Sequence, residues 1–353
     1  WAEVKKRLVF TTHTPEKAGN EEHNIHLLDK MGFFDTLSLE EVRNATGEYG
    51  DMFSHTLAAL RLAKVANGVS QLHGRVAREM WCSYPNICEI KAITNAQNKT
   101  YWADGYLQTA LEKGDDAALK HRKMHLKKRL IEQVANQTGK LFSKDDIIIV
   151  WARRFAEYKR ADLIKYDIMR FQQLMSRTNK RVQIIWAGKP YPGDVQAIAT
   201  FNHLVEVSRN LDNAAVVLPY ELELSMLLKK GADVWLNTPR RPREASGTSG
   251  MSAAMNGAIN FSIQDGWVCE WGKHKHNAFL IAEAPEGLSM EEVDRVDYNS
   301  MMDVLENDLL PLFYDKPEEW FEMMKTSMKE ITPFFDSNRM ADEYYKLFND
   351  KLK

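Results

Sequence analysis
The sequence has few cysteines, no long apolar run and almost no net charge. Cys82, Cys88 and Cys269 are an odd number without metal-type spacing, so neither a disulfide framework nor a metal site is expected. Free thiols in a reducing, cytoplasmic compartment are the expectation. No stretch is long enough to span a bilayer and no signal peptide is visible, so no membrane partner is expected. Lysine and arginine total 47 against 49 aspartate and glutamate, a net charge of −2. That balance leaves no basic excess to hold nucleic acid and no acidic tail. Internal repeats and low-complexity segments are lacking too. The chain opens on Trp1 without a methionine, and is expected to be a piece of a longer polypeptide.

What is present is ordinary globular composition, 44% hydrophobic and 27% charged, over 353 residues. That length accommodates two domains or one large α/β domain. Arg7 to Thr12 reads as a short buried strand delivering His13 to a polar loop. Ser38 to Glu41 is a capping-box signature, and His55 to Ala66 reads as a helix. Val69 to Leu72 reads as a short strand, Gly74 to Trp81 as a helix, and Glu89 to Thr94 as a further strand. The amide-rich loop Asn95 to Asn98 is the expected domain boundary. The piece before it has too few strands for a sheet. Asp115-Asp116 starts a long helix through Gln137, stopped by Gly139. Its basic residues, Lys120, Arg122, Lys123, Lys127, Lys128 and Arg129, read as a solvated face.

Four strand candidates then recur with helices between them: Ile147 to Ala152, Val182 to Ala187, Ala215 to Leu218 and Asp233 to Leu236. A fifth, Ile259 to Ile263, follows. The spacings fit βαβ units, hence a parallel, doubly wound α/β sheet. Helices from Met290 to Leu309, Glu318 to Ile331 and Met340 to Leu352 complete the chain. The fourth strand leads into Asn237 to Gly257, with arginines, small residues and a helix start. This is either an ordinary glycine-rich turn or an anion site, because first-turn N–H groups lack intrahelical partners and glycines let a phosphate approach the backbone. Carboxyl ends of parallel strands lie along one edge. Arg153, Arg154, Lys159 and Lys189 would thus face the glycine-rich helix start, which favours the anion site.

Three motifs now occur in one order: Val9-Phe10-Thr11-Thr12-His13-Thr14-Pro15, Arg153-Arg154-Phe155-Ala156-Glu157-Tyr158-Lys159-Arg160 and Glu244-Ala245-Ser246-Gly247-Thr248-Ser249-Gly250-Met251. Together with Asn95, Trp102, Gly188-Lys189, Tyr220-Glu221 and Asn256-Gly257, the chain resembles the α-glucan (glycogen and maltodextrin) phosphorylase family over most of residues 7 to 270. The resemblance implies a Rossmann-like, two-domain retaining glycosyltransferase architecture. Residues 1–94 would be the end of an incomplete first domain, 95–335 the second domain, and 336–353 a helix packing back on the first. It implies phosphorolysis of α-1,4-glucan to α-glucose 1-phosphate, with glucan and inorganic phosphate as partners and a homodimer as the implied assembly.

By resemblance, the His13 carbonyl contacts the glucosyl unit and Asn95 its 6-hydroxyl. Arg154 and Lys159 hold the substrate phosphate, while Arg153 lies near the cofactor phosphate. Glu244 and Ser246 bind sugar hydroxyls. The N–H groups of Gly247, Thr248 and Ser249 cradle the 5′-phosphate of pyridoxal phosphate. One position departs from the pattern. Where family members carry the lysine that bonds the cofactor aldehyde, this chain has Ser252, and a hydroxyl cannot form an imine. No other lysine lies between Lys230 and Lys273, so no neighbour in that stretch replaces it. Pyridoxal phosphate is implied without its usual anchor, and a metal is not. Ser252 keeps two alternatives open: a glycogen-synthase-like glucosyltransferase with a nucleotide-sugar donor, and a non-catalytic glucan-binding relative.

Overall fold
Val9–Thr11 (β1), Val65–Gly68 (β4) and Ile90–Ala92 (β5) pair in parallel in the order β1-β4-β5, with Val9 opposite Val65 and Ala66 opposite Ile90. Glu22–Asn24 (β2) and Met52–Ser54 (β3) form a separate antiparallel pair. The computed structural model describes residues 1–349 and divides into two compact units. These strands belong to the first, which comprises Trp1–Asn95, Pro242–Ser246 and the chain from Asn338 on.

The first unit departs from the sequence reading in four places. Its strands do complete a sheet, although too few were expected. The helix expected over His55 to Ala66 ends at Leu62, and Val65 and Ala66 belong to β4. Arg7 ends a helix, Ala2–Arg7, rather than opening β1. The segment expected as strand Val69 to Leu72 instead holds Ser70, which caps the helix Gln71–Trp81 by accepting from the His73 N–H. The strand lies just before it, in Val65–Gly68. A four-residue segment is too short to show either period, and the pairing partners on both sides decide it. Gly68 is required by close approach: a Cβ there would stand 2.8 Å from the Gly74 Cα. The C-terminal helix Ser337–Asn349 sets its Tyr344 hydroxyl 3.1 Å from Thr11 Oγ1, and that hydroxyl accepts from Asn67 Nδ2 at 3.0 Å. The last three residues of the expected Met340 to Leu352 helix lie outside the described residues.

The second unit comprises Ala96–Arg241 and Gly247–Ser337. Its sheet joins Ile147–Ala152 (β6), Val182–Ala187 (β7), Ala214–Val217 (β8), Val234–Asn237 (β9), Ile259–Ile263 (β10) and Ala278–Ile281 (β11). The order is β11-β10-β9-β6-β7-β8 and every pairing is parallel. Every residue of β6, β7 and β10 is buried, which is why these strands read as continuous apolar runs: helices cover both faces. The chain runs outward from β6 to β8, then returns to the other side of β6 to lay down β9. This reversal is a topological switch point between β6 and β9, where ligands bind in open α/β sheets. The sixth strand, β11, was not anticipated; its four apolar residues follow a charged loop without alternation to mark them.

The long helix spans Asp116–Thr138, capped by Asp115 and closed by left-handed Gly139. Its basic residues are not all solvated. Lys127 is 3% exposed and pairs with Asp233 at 2.7 Å. Lys123 donates to the carbonyls of Lys230, Ala232 and Asn256 at 3.0, 2.8 and 2.8 Å. Both long stems cross the apolar interface and deliver a donor to chain ends that need one. Gly231 lets the helix Leu222–Gly231 press against the long helix, since a Cβ there would sit 2.5 Å from the Leu130 Cβ. Among the described residues, no helix is long and apolar enough to cross a membrane.

Candidate functional site
In the second unit, the loops after β6 and β9 flank the switch point. Thr238, 1% exposed, sews them together. Its hydroxyl accepts from Trp151 Nε1 at 3.2 Å and lies 3.1 and 3.0 Å from the carbonyls of Lys159 and Arg160. The Arg240 N–H reaches the Tyr158 carbonyl at 2.7 Å. Arg160 does the same from the other side: its guanidinium donates to the Thr238 and Pro239 carbonyls at 2.9 Å and to Asp294 and Asp297 at 2.6 Å. Burial pushes the Asp297 carboxyl above its usual range despite Arg160. Burial also pushes on Asp294, but hydrogen bonds from Arg240 and Arg160 outweigh it and hold that carboxyl low.

The three arginines of this loop divide by role. Arg153 is buried; its N–H bonds the Ala187 carbonyl and its guanidinium donates to Asn237 Oδ1. Asn237 Nδ2 in turn reaches Asn260 Oδ1 at 3.3 Å, and Asn260 Nδ2 donates to the Gly250 carbonyl at 3.0 Å. A continuous hydrogen-bonded chain thus joins Arg153 to the Gly250 turn. Arg160 is consumed by its four partners. Arg154 is exposed and has no partner among the described residues. Lys159 is half-buried over the Tyr158 ring, and Lys189 is exposed after β7.

The helix start after β9 is real. Gly247 takes a left-handed φ of 86°, and Thr248–Ala254 follows as a helix with no side-chain cap. Within it Ser252 is fully buried, its hydroxyl 3.2 Å from the Ser249 carbonyl one turn back. Asn256 braces the helix end: its Nδ2 donates to the Ser252 carbonyl at 2.7 Å and to the Trp102 carbonyl at 3.0 Å. Its Oδ1 accepts from the Asp104 N–H at 2.8 Å. Tyr220 follows the cis Leu218–Pro219 bond and sets its hydroxyl 3.3 Å from the Ala152 carbonyl.

The first unit holds the other four predicted residues. His13 is exposed just past β1, where the Thr12 N–H bonds the Asn67 carbonyl. Asn95 is half-buried, with its N–H on the Val69 carbonyl and its side-chain amide without a partner among the described residues. Glu244 is half-buried, and Ser246 is buried with its hydroxyl unpartnered among them. Ser70, which sequence reasoning did not single out, fixes this segment by donating to the Ala245 carbonyl at 2.7 Å. His73, 2% exposed, accepts from the Val69 N–H through Nδ1. Burial, with His13 nearby, pulls its imidazole down to about 4. The polar pair at i and i+3 of a helix start was the available signal for both.

A groove of about 560 Å³ runs between the helices Asp116–Thr138 and Leu222–Gly231; of the residues that carry the resemblance only Glu221 lines it, and none of the predicted site residues does. It lies beside Arg122, Arg129 and Glu223 and brings no reactive set together. Among the described residues no cluster of three or more metal-ligating side chains occurs.

With this geometry in place, the class follows: an α/β protein whose loops after β6 and β9 meet at the switch of a doubly wound parallel sheet. The carbohydrate phosphorylase family model matches residues 52–309, and the chain belongs to that family. An uncharacterized protein of Methanocaldococcus jannaschii is 44% identical over 342 residues, covering 97% of this chain and 63% of the relative. Maltodextrin phosphorylase of Thermococcus litoralis is 33% identical over 393 residues, covering 99% and 47%. Glycogen phosphorylase of Aquifex aeolicus is 30% identical over 406 residues, covering 99% and 58%. The chain spans about half to two-thirds of the length of these relatives.

The family usually uses pyridoxal phosphate, and the residues present fit one end of that group. The N–H groups of Thr248 and Ser249 stand in the first helical turn without intrahelical acceptors, behind a glycine that no side chain screens. A phosphate fits such donors. At the aldehyde end Ser252 supplies no amine, and its hydroxyl is turned back on its own helix. The serine does not fit the covalent bond.

Proposed function
We propose that the full-length protein is a retaining α-glucosyltransferase of the phosphorylase type, cleaving α-1,4-glucan with inorganic phosphate to give α-glucose 1-phosphate. The observation that carries this reading is the division among the arginines: Arg153 and Arg160 are buried by internal partners, and Arg154 is left exposed and unpaired between them. A cation held on so rigid a loop is pre-organised for an anion. Arg154 and Lys159 bind the attacking phosphate. Arg153 and the N–H groups of Gly247, Thr248 and Ser249 hold a second phosphate, that of the cofactor. When bound, that cofactor supplies a phosphate able to exchange a proton with the substrate phosphate.

On the sugar side, the unpartnered Ser246 hydroxyl and Asn95 amide are the groups left to hydrogen-bond a glucosyl unit, with Glu244 and the His13 carbonyl. An oxocarbenium-like transition state then gains from positioning and from the fixed charges rather than from a carboxylate pair. Ser252 supports a second reading, in which the same phosphate donors take the distal phosphate of a nucleotide-glucose and Arg154 neutralises the leaving group.

The deciding experiment gives full-length protein maltodextrin with phosphate, and separately maltodextrin with nucleotide-glucose. Glucose 1-phosphate from the first mixture is expected. In Arg154→Ala, kcat/KM for phosphate should fall about 10²- to 10³-fold, the scale of one lost charge-stabilising donor, with an unchanged unfolding curve because Arg154 is exposed. Glucan extension from the nucleotide sugar alone would overturn the phosphorylase reading in favour of the second.

A further inference from the structure
Within the first unit, the carboxyl ends of β1, β4 and β5 lie side by side. The Thr12 N–H bonds the Asn67 carbonyl, the Ile93 N–H the Gly68 carbonyl and the Asn95 N–H the Val69 carbonyl, each at 3.0 Å. One edge of the sheet therefore carries His13, the segment Val69 to His73, and Asn95. The middle of that edge is the start of the helix Gln71–Trp81. Its Gly74 is pressed so close to β5 that a Cβ would stand 2.7 Å from the Ala92 Cβ. Ser70 and His73 stand on this fixed start, and both are buried.

Ser70 has both of its roles filled. Its hydroxyl accepts from the His73 N–H at 3.0 Å and donates to the Ala245 carbonyl, between Glu244 and Ser246, at 2.7 Å. His73 has only one role filled. Its Nδ1 accepts from the Val69 N–H at 3.2 Å, so the neutral ring carries its proton on Nε2. That outer nitrogen is buried and has no hydrogen-bond partner among the described residues. The groups that act on the ring besides its burial are His13 and the Thr14 backbone. The Thr14 carbonyl accepts from Asn20 Nδ2 at 3.3 Å and keeps a second lone pair.

We propose that His73 is a positioning residue for the sugar side of the site: its Nε2–H steadies the His13–Thr14 segment, and with it the His13 carbonyl, relative to the segment that Ser70 holds. The inference rests on the sugar-binding roles proposed above for His13, Glu244 and Ser246, and goes beyond them by naming what sets these groups relative to one another. Packing does not account for an imidazole here. An apolar side chain would fill the same buried space without an N–H to satisfy, and the Val69 bond accounts for Nδ1 alone. Ser70 already caps the helix, so the cap does not account for Nε2 either. With His73 in this role, both halves of a glucosyl-binding face hang from one rigid helix start.

The test measures the maltodextrin affinity of the full-length protein by calorimetry, alongside unfolding curves, for two substitutions that separate the ring nitrogens. His73→Asn keeps an acceptor near the Nδ1 position and nothing near Nε2, whereas His73→Gln reaches the Nε2 position with an amide N–H and leaves Nδ1 unreplaced. Maltodextrin Kd should rise about threefold to tenfold in His73→Asn, the scale of one neutral hydrogen bond, and stay within about twofold in His73→Gln. Stability should rank the two the other way, because only His73→Asn satisfies the Val69 N–H. A residue that merely completes the helix start would make affinity follow stability, so equal Kd values or a weaker His73→Gln overturn the proposal. Affinity is read without turnover. A full-length protein that binds maltodextrin but makes no glucose 1-phosphate overturns the phosphorylase reading, and the order of the Kd values still decides the proposal; no maltodextrin binding at all overturns both. Should neither variant fold, the ring-nitrogen resonances of His73 in isotope-labelled, unaltered protein decide. A proton on Nε2 and a shift on adding maltodextrin are expected; a proton on Nδ1, or no shift, overturns the proposal.

Discussion
Arg160 is the residue whose removal most directly tests how the switch-point loops are held. It is 4% exposed and binds two carboxylates and two carbonyls, joining the loop after β6, the loop after β9 and the helix Met290–Val304. Arg160→Met keeps the stem and deletes the charge. Asp297, 3% exposed, is then left as a buried carboxylate without its guanidinium, a loss of about 3–5 kcal/mol. The orphaned Thr238 and Pro239 carbonyls add about 1 kcal/mol or more. The sum is a large part of the roughly 5–15 kcal/mol by which domains are stable. Urea unfolding followed by circular dichroism measures it. Asp297→Asn in the Arg160→Met background should recover about 2 kcal/mol, because it removes the uncompensated charge. A single-variant loss below about 1 kcal/mol, or strict additivity in the cycle, would refute the argument. The acid limb offers a second check. The lowered Asp294 contributes stability that is present above its ordinary range and lost as pH falls through its folded value. The raised Asp297 acts oppositely, its contribution being lost as pH rises through its folded value. Arg160→Met should weaken the first and enlarge the second.

Two further outcomes follow from single sites. Gly188→Ala should destabilise by about 2 kcal/mol or more, because φ is 149° there and a Cβ would be driven into the Arg153 carbonyl; thermal unfolding reads this, and a shift within error would contradict it. His73 is neutral when folded and buried, with a value near 4 against an ordinary 6.5. Its contribution is present above 6.5 and lost as pH falls toward 4, on the order of 3 kcal/mol in total. His73→Gln should therefore flatten the fall in stability between pH 7 and pH 4, and an unchanged slope would show that the imidazole is not responsible.

The second unit was legible in the sequence because its strands are buried on both faces. Ile147–Ala152, Val182–Ala187 and Ile259–Ile263 match the apolar runs residue for residue. The first unit was harder to read. Val65–Gly68 is short, and nothing local separates it from the end of the preceding helix; its pairing partners lie 56 and 24 residues away, Val9 opposite Val65 and Ile90 opposite Ala66. Position on a helix face was the other blind spot. The run Lys120 to Arg129 reads as a solvated stripe by composition, yet Lys123 and Lys127 point inward because Asp233 and three chain-end carbonyls need donors. The anion-type turn could be named from glycines and order in the chain. Its supports, Thr238, Asn256 and Asn260, could not, since amides and hydroxyls of that kind carry no periodicity.

That asymmetry bears on Ser252. Everything that shapes the Gly247 turn acts through backbone and through neighbours: the left-handed Gly247, the Asn260 bond to the Gly250 carbonyl, the Asn256 bond to the Ser252 carbonyl. None of these uses the side chain at 252. A serine there satisfies its own hydroxyl within the helix and takes no part in setting the first-turn N–H groups. In the function proposed above, holding a phosphate at the turn thus draws on backbone groups that do not depend on the side chain at 252. A serine at position 252 therefore does not by itself argue against that phosphorylase reading.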